Sequence, residues 1–163
     1  MREGTAFELA TWLLGSADQK KIYRIEENKR KRSKGQNAYY WDLVTKMADK
    51  SHIPKPEIHN RLMRLYGRDF EICGERVGRY FPDTDETEET MLRAETYHFR
   101  PTAKVKDGKR VWVLLKASHD MDTAEMSALL DGAIIEAKDM EIDTDGIEKE
   151  IHRDSESGKG KGL

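Results

Sequence analysis

A chain of 163 residues suits one compact domain, or one domain plus a tail. Hydrophobic and charged residues each make up 37%, so a core is possible but thin, and pairing with a second copy is an expected way to complete burial. A net charge of -2, from 29 basic and 31 acidic residues, gives no global attraction for nucleic acid, and the lone Cys73 excludes an intrachain disulfide or a cysteine metal cluster.

Along the chain, Thr5 with Glu8 three residues later forms a capping box. Leu9, Trp12 and Leu13 follow, and Gly15 stops this short first helix. Ile22, Tyr23 and Ile25 give Lys21–Glu27 the composition of a strand. Ser33 and Gln36 form a second capping box, opening a helix to about Ser51 with Tyr40, Trp41, Val44, Met47 and Ala48 at helical spacing. Ile53-Pro54-Lys55-Pro56 breaks the chain; Pro56 fits the first turn of a third helix, marked by Ile58, Leu62 and Leu65 and stopped at Gly67.

Arg68–Pro82 is irregular, with Phe70, Ile72, Val77 and Tyr80 as scattered anchors, and the acidic run Asp83–Glu89 starts a short helix or stays a solvated loop. Glu95–Lys104 and Arg110–Lys116 read as two strands, and Asp107-Gly108 between them is a hairpin signal. Asp122 and Glu125 form a third capping box, opening a helix to about Met140 with Met126, Leu129, Leu130, Ala133, Ile134 and Ala137 on one face. Gly132 costs that helix about 1 kcal/mol against alanine, which suits a close helix contact. Thr144 or Asp143 caps a short last helix through Ile147 and Ile151, and residues 153–163, rich in serine, glycine and lysine, read as a disordered tail behind a domain spanning 1–152. The fold class is therefore α+β: several helices packed with a small antiparallel sheet or hairpin. No apolar run approaches a membrane span and the first residues lack a secretory pattern, so the chain reads as soluble and cytoplasmic.

Charge is unevenly spread. Cations gather at 29–34 and 100–110, and acids at Asp83–Glu89 and Glu136–Glu150. The run Lys29-Arg30-Lys31-Arg32-Ser33-Lys34 leads straight into a helix start, where backbone N–H groups and the macrodipole also favour an anion. A phosphate backbone is the natural ligand: Arg30, Lys31, Arg32 and Lys34 supply charge, Gln36 and Asn37 hydrogen bonds, and Tyr39, Tyr40 or Trp41 a face for an unpaired base. Composition alone favours a plainer account, in which Ser33 and Gln36 cap the helix, Trp41 enters the core and the cations form a solvated run. The hairpin has the same two readings. Lys104, Lys106, Lys109 and Arg110, with Arg100, make a ribbon able to lie along a nucleic-acid backbone, or a tip kept soluble by lysine.

Catalysis has one candidate. His119-Asp120-Met121-Asp122 is the densest histidine–carboxylate group and can be imagined holding a divalent ion for phosphodiester cleavage, but Asp122 has a sufficient role as a helix cap. The other histidines, His52, His59, His98 and His152, show no ligand spacing with a cysteine; no cofactor, resident metal or catalytic residue is assigned. The helix over Thr123–Met140 is most simply core. A dimer seam on Met126, Leu130 and Ile134 is its second reading.

The pattern Arg32-Ser33-x-x-Gln36-Asn37-x-x-x-Trp41 after a basic stretch resembles the NinB (Orf) family of phage recombination proteins, and a set of similarly sized prophage-encoded proteins of Gram-positive bacteria. Similarity to the second set continues through Leu62–Gly67, Thr96–Thr102, Ser118–Ser127 and Glu136–Thr144, so it covers roughly Thr5–Glu150. Similarity to NinB itself rests on the helix start at Arg32–Trp41 and the helix near the C-terminus. The resemblance implies an α+β homodimer that binds DNA, preferably single-stranded, and assists recombination or replication without catalysis. Its partners would be DNA and phage or host recombination or replication proteins. The alternatives are a metal-dependent nuclease and a protein-interaction adaptor that touches no nucleic acid.

Overall fold

The computed structural model describes residues 4–24 and 34–159, which form an α+β fold. Helix α1 (Ala6–Gly15) opens on the expected capping box: the Thr5 hydroxyl accepts from the Glu8 N–H, and the Glu8 carboxylate accepts from the Thr5 N–H at 2.7 Å. That hydrogen bond holds the Glu8 carboxyl below its ordinary range. No α1 residue is fully buried. The strand expected from Lys21 is absent at 21–24. Instead Tyr23 turns back, its ring edge-on to Trp12 at 5.2 Å and its hydroxyl accepting from the Asp18 N–H. A lone strand without a partner leaves its backbone unpaired, and none is offered here. Residues 25–27 of that expectation lie outside the described residues.

The core is built by three helices, α2 (Lys34–Ser51), α3 (Lys55–Tyr66) and α5 (Thr123–Asp139). Their apolar stripes meet as Tyr40, Leu43, Val44 and Met47 on α2, Ile58, Leu62 and Met63 on α3, and Met126, Leu129, Leu130, Ala133 and Ala137 on α5. Asp122 caps α5 through the predicted box with Glu125. Pro54 precedes α3 and Pro56 occupies its first turn, where a missing N–H costs nothing. Gly132 sits against α3 so closely that a Cβ there would fall well inside contact distance of the Tyr66 ring. The Tyr66 hydroxyl then donates to Glu136 at 2.6 Å on the same helix, which pins the ring and raises its pKa.

The sheet region is richer than two strands. A two-residue ribbon pairs β1 (Glu71–Ile72) with β2 (Glu75–Arg76) around Cys73 and Gly74, both at positive φ. A separate antiparallel sheet runs β3–β5–β4, from β3 (Gly78–Pro82), β4 (Phe99–Lys106) and β5 (Lys109–Leu114). Asp107 and Gly108 turn the hairpin with φ of 52° and 70°, the left-handed pair that Asp-Gly supplies. The register slips between Pro101 and Val105, so residues 102–104 bulge out of β4. Between β3 and β4, the acidic run takes its helical alternative as α4 (Asp85–Arg93). Thr84 caps this helix, and its first-turn acids suit the dipole.

The last helix, α6 (Asp145–Lys159), corrects the expected boundary of the tail. Ile147 is buried, Ile151 packs on the core, and Asp154 accepts a hydrogen bond from Tyr39 on α2 at 2.9 Å. These contacts carry the helix through residues 153–159 despite their weak helix propensity. Both predicted caps contribute: Asp143 accepts from the Asp145 N–H, and the buried Thr144 hydroxyl donates to Glu148. Among the described residues no helix is long and apolar enough to cross a membrane.

Candidate nucleic-acid interface

Two groups of predicted residues sit on different elements. Of the basic run, Arg30, Lys31 and Arg32 lie outside the described residues, as does Ser33 of the second capping box; α2 begins at Lys34. The next positions are tied into the fold. Gln36 donates through Nε2 to the Ser127 hydroxyl of α5 at 2.6 Å, Asn37 is half-buried, and the Tyr39 hydroxyl is held by Asp154. That hydrogen bond raises the Tyr39 pKa, with burial and nearby carboxylates adding to it. Gln36 and Tyr39 therefore dock α2 onto α5 and α6, while Asn37 makes no hydrogen bond or ion pair among the described residues.

Of the two adjacent aromatics, helical spacing does not say which enters the core. Trp41 is not the anchor. Tyr40 is fully enclosed, whereas Trp41 retains 36% of its surface. It lies at the rim of a buried polar network. The Tyr40 hydroxyl and His59 Nδ1 are 2.6 Å apart, Trp41 stacks on His59 at 4.8 Å with a 34° tilt, and His59 meets His98 edge-on at 4.7 Å. Asn60 sets the protonation of this network. Its amide nitrogen donates to the carbonyls of Pro56, Leu92 and Ala94, so its oxygen must be the acceptor facing His98 Nδ1 at 2.6 Å. His98 is then the Nδ1–H tautomer with its lone pair on Nε2. Burial keeps both rings neutral: it pushes His59 down to about 3, reinforced by His98, and lowers His98, with His119 adding to it.

The hairpin cations divide by residue type. Arg110 is structural: its guanidinium forks onto Asp83 at 2.8 and 3.2 Å and donates through Nη1 to the Thr102 carbonyl, bracing the β4 bulge. Arg100 and Arg76 both grip Asp69, at 2.5 and 3.1 Å. Lys104, Lys106 and Lys109 are exposed, and their ammonium groups make no hydrogen bond or ion pair among the described residues. Lys106 stands opposite Lys109, and Lys109 opposite Pro82, two residues beyond Tyr80 on β3. The period of two places Lys106, Lys109 and Tyr80 on one sheet face, where the Tyr80 ring is 47% exposed. From sequence Tyr80 reads only as an anchor, because β3 has no local signature.

The sheet's other face points inward. Trp112 packs there under the Arg64 guanidinium, 5.1 Å from ring centroid to Cζ, and Arg64 in turn pairs with Glu88. Beside it opens a cleft of about 630 Å³ lined by Asp83, Thr84, Asp85, Glu88, Thr102 and Arg110, whose carboxylates set it apart from a phosphate groove.

The candidate for cleavage chemistry is open to solvent. His119 and Asp120 form a single turn of 3₁₀-helix, with His119 Nε2 3.4 Å from Asp120 Oδ2, while Asp122 is committed to capping α5. Among the described residues no group of three or more histidine, cysteine or acidic side chains is placed to hold a metal ion. The predicted seam on Met126, Leu130 and Ile134 is filled by α2 and α3 of the same chain and is core. Compared with protein-family models, with curated proteins and with solved structures, the chain matches none.

Proposed function

We propose that this chain is a non-catalytic accessory protein of phage or prophage DNA recombination or replication, binding single-stranded DNA as a homodimer. One observation carries the reading: the β4–β5 hairpin presents three lysines with no acidic partner among the described residues, two of them on the same sheet face as exposed Tyr80. Free ammonium groups along a narrow ribbon suit a phosphate chain, and an exposed ring among them suits unpaired bases. The basic run Lys29–Lys34 ahead of α2 supports the same ligand from a second element, as does the resemblance to NinB-like proteins. The dimer is supported by α1, which leaves Phe7 81% and Leu14 84% exposed on a helix whose only charged residue is Glu8.

Fluorescence anisotropy with labelled oligo(dT) across a salt series tests the proposal. Changing Lys104, Lys106 and Lys109 together to alanine removes three phosphate contacts and should flatten the log–log salt slope by about two units at roughly 0.7 per contact. Changing Arg30, Lys31 and Arg32 should do likewise. No binding by the native chain at low salt refutes the reading. Cleavage of the DNA in Mg²⁺ or Mn²⁺ that disappears in His119→Ala would assign an enzyme in its place.

A further inference from the structure

Trp41 differs from the exposed tyrosines of the sheet region in how firmly its ring is held. Among the described residues Tyr80 and Tyr97 have no ring neighbour, whereas the Trp41 indole is backed by the His59 imidazole at 4.8 Å and met edge-on by Tyr40 at 5.4 Å. The backing is itself locked. His59 is fixed by the Tyr40 hydroxyl and by His98, and His98 by Asn60, whose amide is committed to three backbone carbonyls. An aromatic with its inner contacts satisfied, a third of its surface open and its indole N–H without a partner among the described residues is costly to leave in water and gains little structurally from staying there.

Its position is equally specific. Trp41 lies one turn beyond Asn37 on the same stripe of α2, and about 10 Å along the axis from the residue where the basic run Lys29–Lys34 ends. His98, which the Trp41–His59 stack abuts, immediately precedes β4, and Lys106 ends that strand, about 25 Å further on. The Trp41–His59 stack therefore links the first turns of α2 to the start of β4, the strand that ends at the hairpin lysines, and offers an aromatic surface separate from Tyr80.

We propose that Trp41 is a preorganised stacking platform, taking one unpaired nucleobase of a bound single strand onto the face of its indole that His59 leaves open. This rests on the DNA-binding reading above. Stacking needs only the flat π-face that every base has, so purines and pyrimidines are both accepted. A base within a duplex already has its faces covered by its neighbours and offers none. Because His59 and Tyr40 hold the indole before the ligand arrives, little rotamer freedom is lost on binding.

Tryptophan emission provides the test. In a Trp12→Phe background two tryptophans remain, and only Trp41 is reachable, since Trp112 is 3% exposed. Oligo(dT) that raises the anisotropy of a labelled complex should quench this emission, and a duplex of equal length should quench it little. Trp41→Leu should weaken oligo(dT) binding between about fivefold and a hundredfold, the range of one lost stacked base, without changing the salt slope. Trp41→Phe, which keeps a smaller ring on His59, should fall between. Binding without quenching, or a Trp41→Leu variant that melts cooperatively and binds like the native chain, overturns the platform and leaves the DNA reading intact. Equal quenching by duplex also overturns it. Absence of any anisotropy change at low salt overturns the DNA reading itself.

Discussion

The buried histidines make stability depend on pH in a calculable way. In the unfolded chain His59 takes up a proton near pH 6.5, but burial and the adjacent His98 hold it neutral in the folded protein down to about 3. The unfolded state therefore binds more protons between those values. The stabilisation is complete above pH 6.5 and is lost progressively as pH falls toward 3, at up to 1.36 kcal/mol per unit. Between pH 7.5 and 5 His59 alone should remove about 2 kcal/mol, and His98, shifted the same way, adds to the loss. Glu8 and Glu148, both lowered by their hydrogen bonds, lose stability in the same direction but mainly below this window, as their unfolded carboxyls protonate. Urea unfolding at pH 7.5, 6.5, 5.75 and 5 reads the slope directly. His59→Gln keeps an acceptor for the Tyr40 hydroxyl and cannot titrate, so its loss over the same window should be smaller by about 2 kcal/mol. Equal losses in the native chain and the variant would refute the assignment of a neutral, buried His59.

Three further perturbations follow from packing and surface chemistry. Gly132→Ala drives a methyl into the Tyr66 ring; the helix regains about 1 kcal/mol of propensity but overpacking costs about 1–3, so the midpoint of urea unfolding should fall, and Tyr66→Leu in the same chain should restore part of it. Asn60→Leu strands the His98 Nδ1–H and withdraws donors from the Leu92 and Ala94 carbonyls, so stability should drop by about 3 kcal/mol by chemical unfolding, with α4 exchanging its amides first. An unchanged midpoint would show that those groups are solvated. Phe7→Glu with Leu14→Glu should convert a dimer to a monomer by light scattering without shifting the melting temperature of the monomeric unit, since α1 buries no residue in the described fold.

What the sequence discloses and what it hides divide along the range of the interactions. Thr5/Glu8, Asp122/Glu125 and Asp107-Gly108 act within four residues of themselves, and each forms the feature its spacing predicts. β3 has no local signature, because Gly78-Arg79-Tyr80-Phe81-Pro82 lacks an alternation of its own and becomes a strand only by pairing with Lys109–Val113, about thirty residues later. Tyr40 and Trp41 are neighbours on a helix, 100° apart, and only the placement of α3 and α5 decides which is enclosed. The network of His59, Asn60 and His98 has no local signature, since its members come from α3 and from the turn before β4. α6 outran its propensity because Ile147, Ile151 and Asp154 find partners on other elements.

The candidate interface owes its form to the same long-range contacts. By sequence, Arg100, Lys104, Lys106, Lys109 and Arg110 are one cluster of five cations. In the fold the two arginines are spent on Asp69 and Asp83: Arg100 ties the start of β4 to Asp69, and the planar fork of Arg110 on Asp83 braces the bulge. Lysine, a hydrated point charge on a flexible stem, is the poorer choice for such bracing and the better one for a phosphate chain whose position varies. Arg110 contributes little net field at the ribbon, because Asp83 neutralises it within a hydrogen-bond length, and Arg100 shares the single charge of Asp69 with Arg76. The three lysines, held outward by a hairpin that the arginines stiffen, carry most of its exposed positive charge, less the one negative charge of Asp107 at the turn. The capacity of this surface for an anion therefore depends on which carboxylates the arginines have claimed, which composition, at a net charge of -2, had no means of expressing.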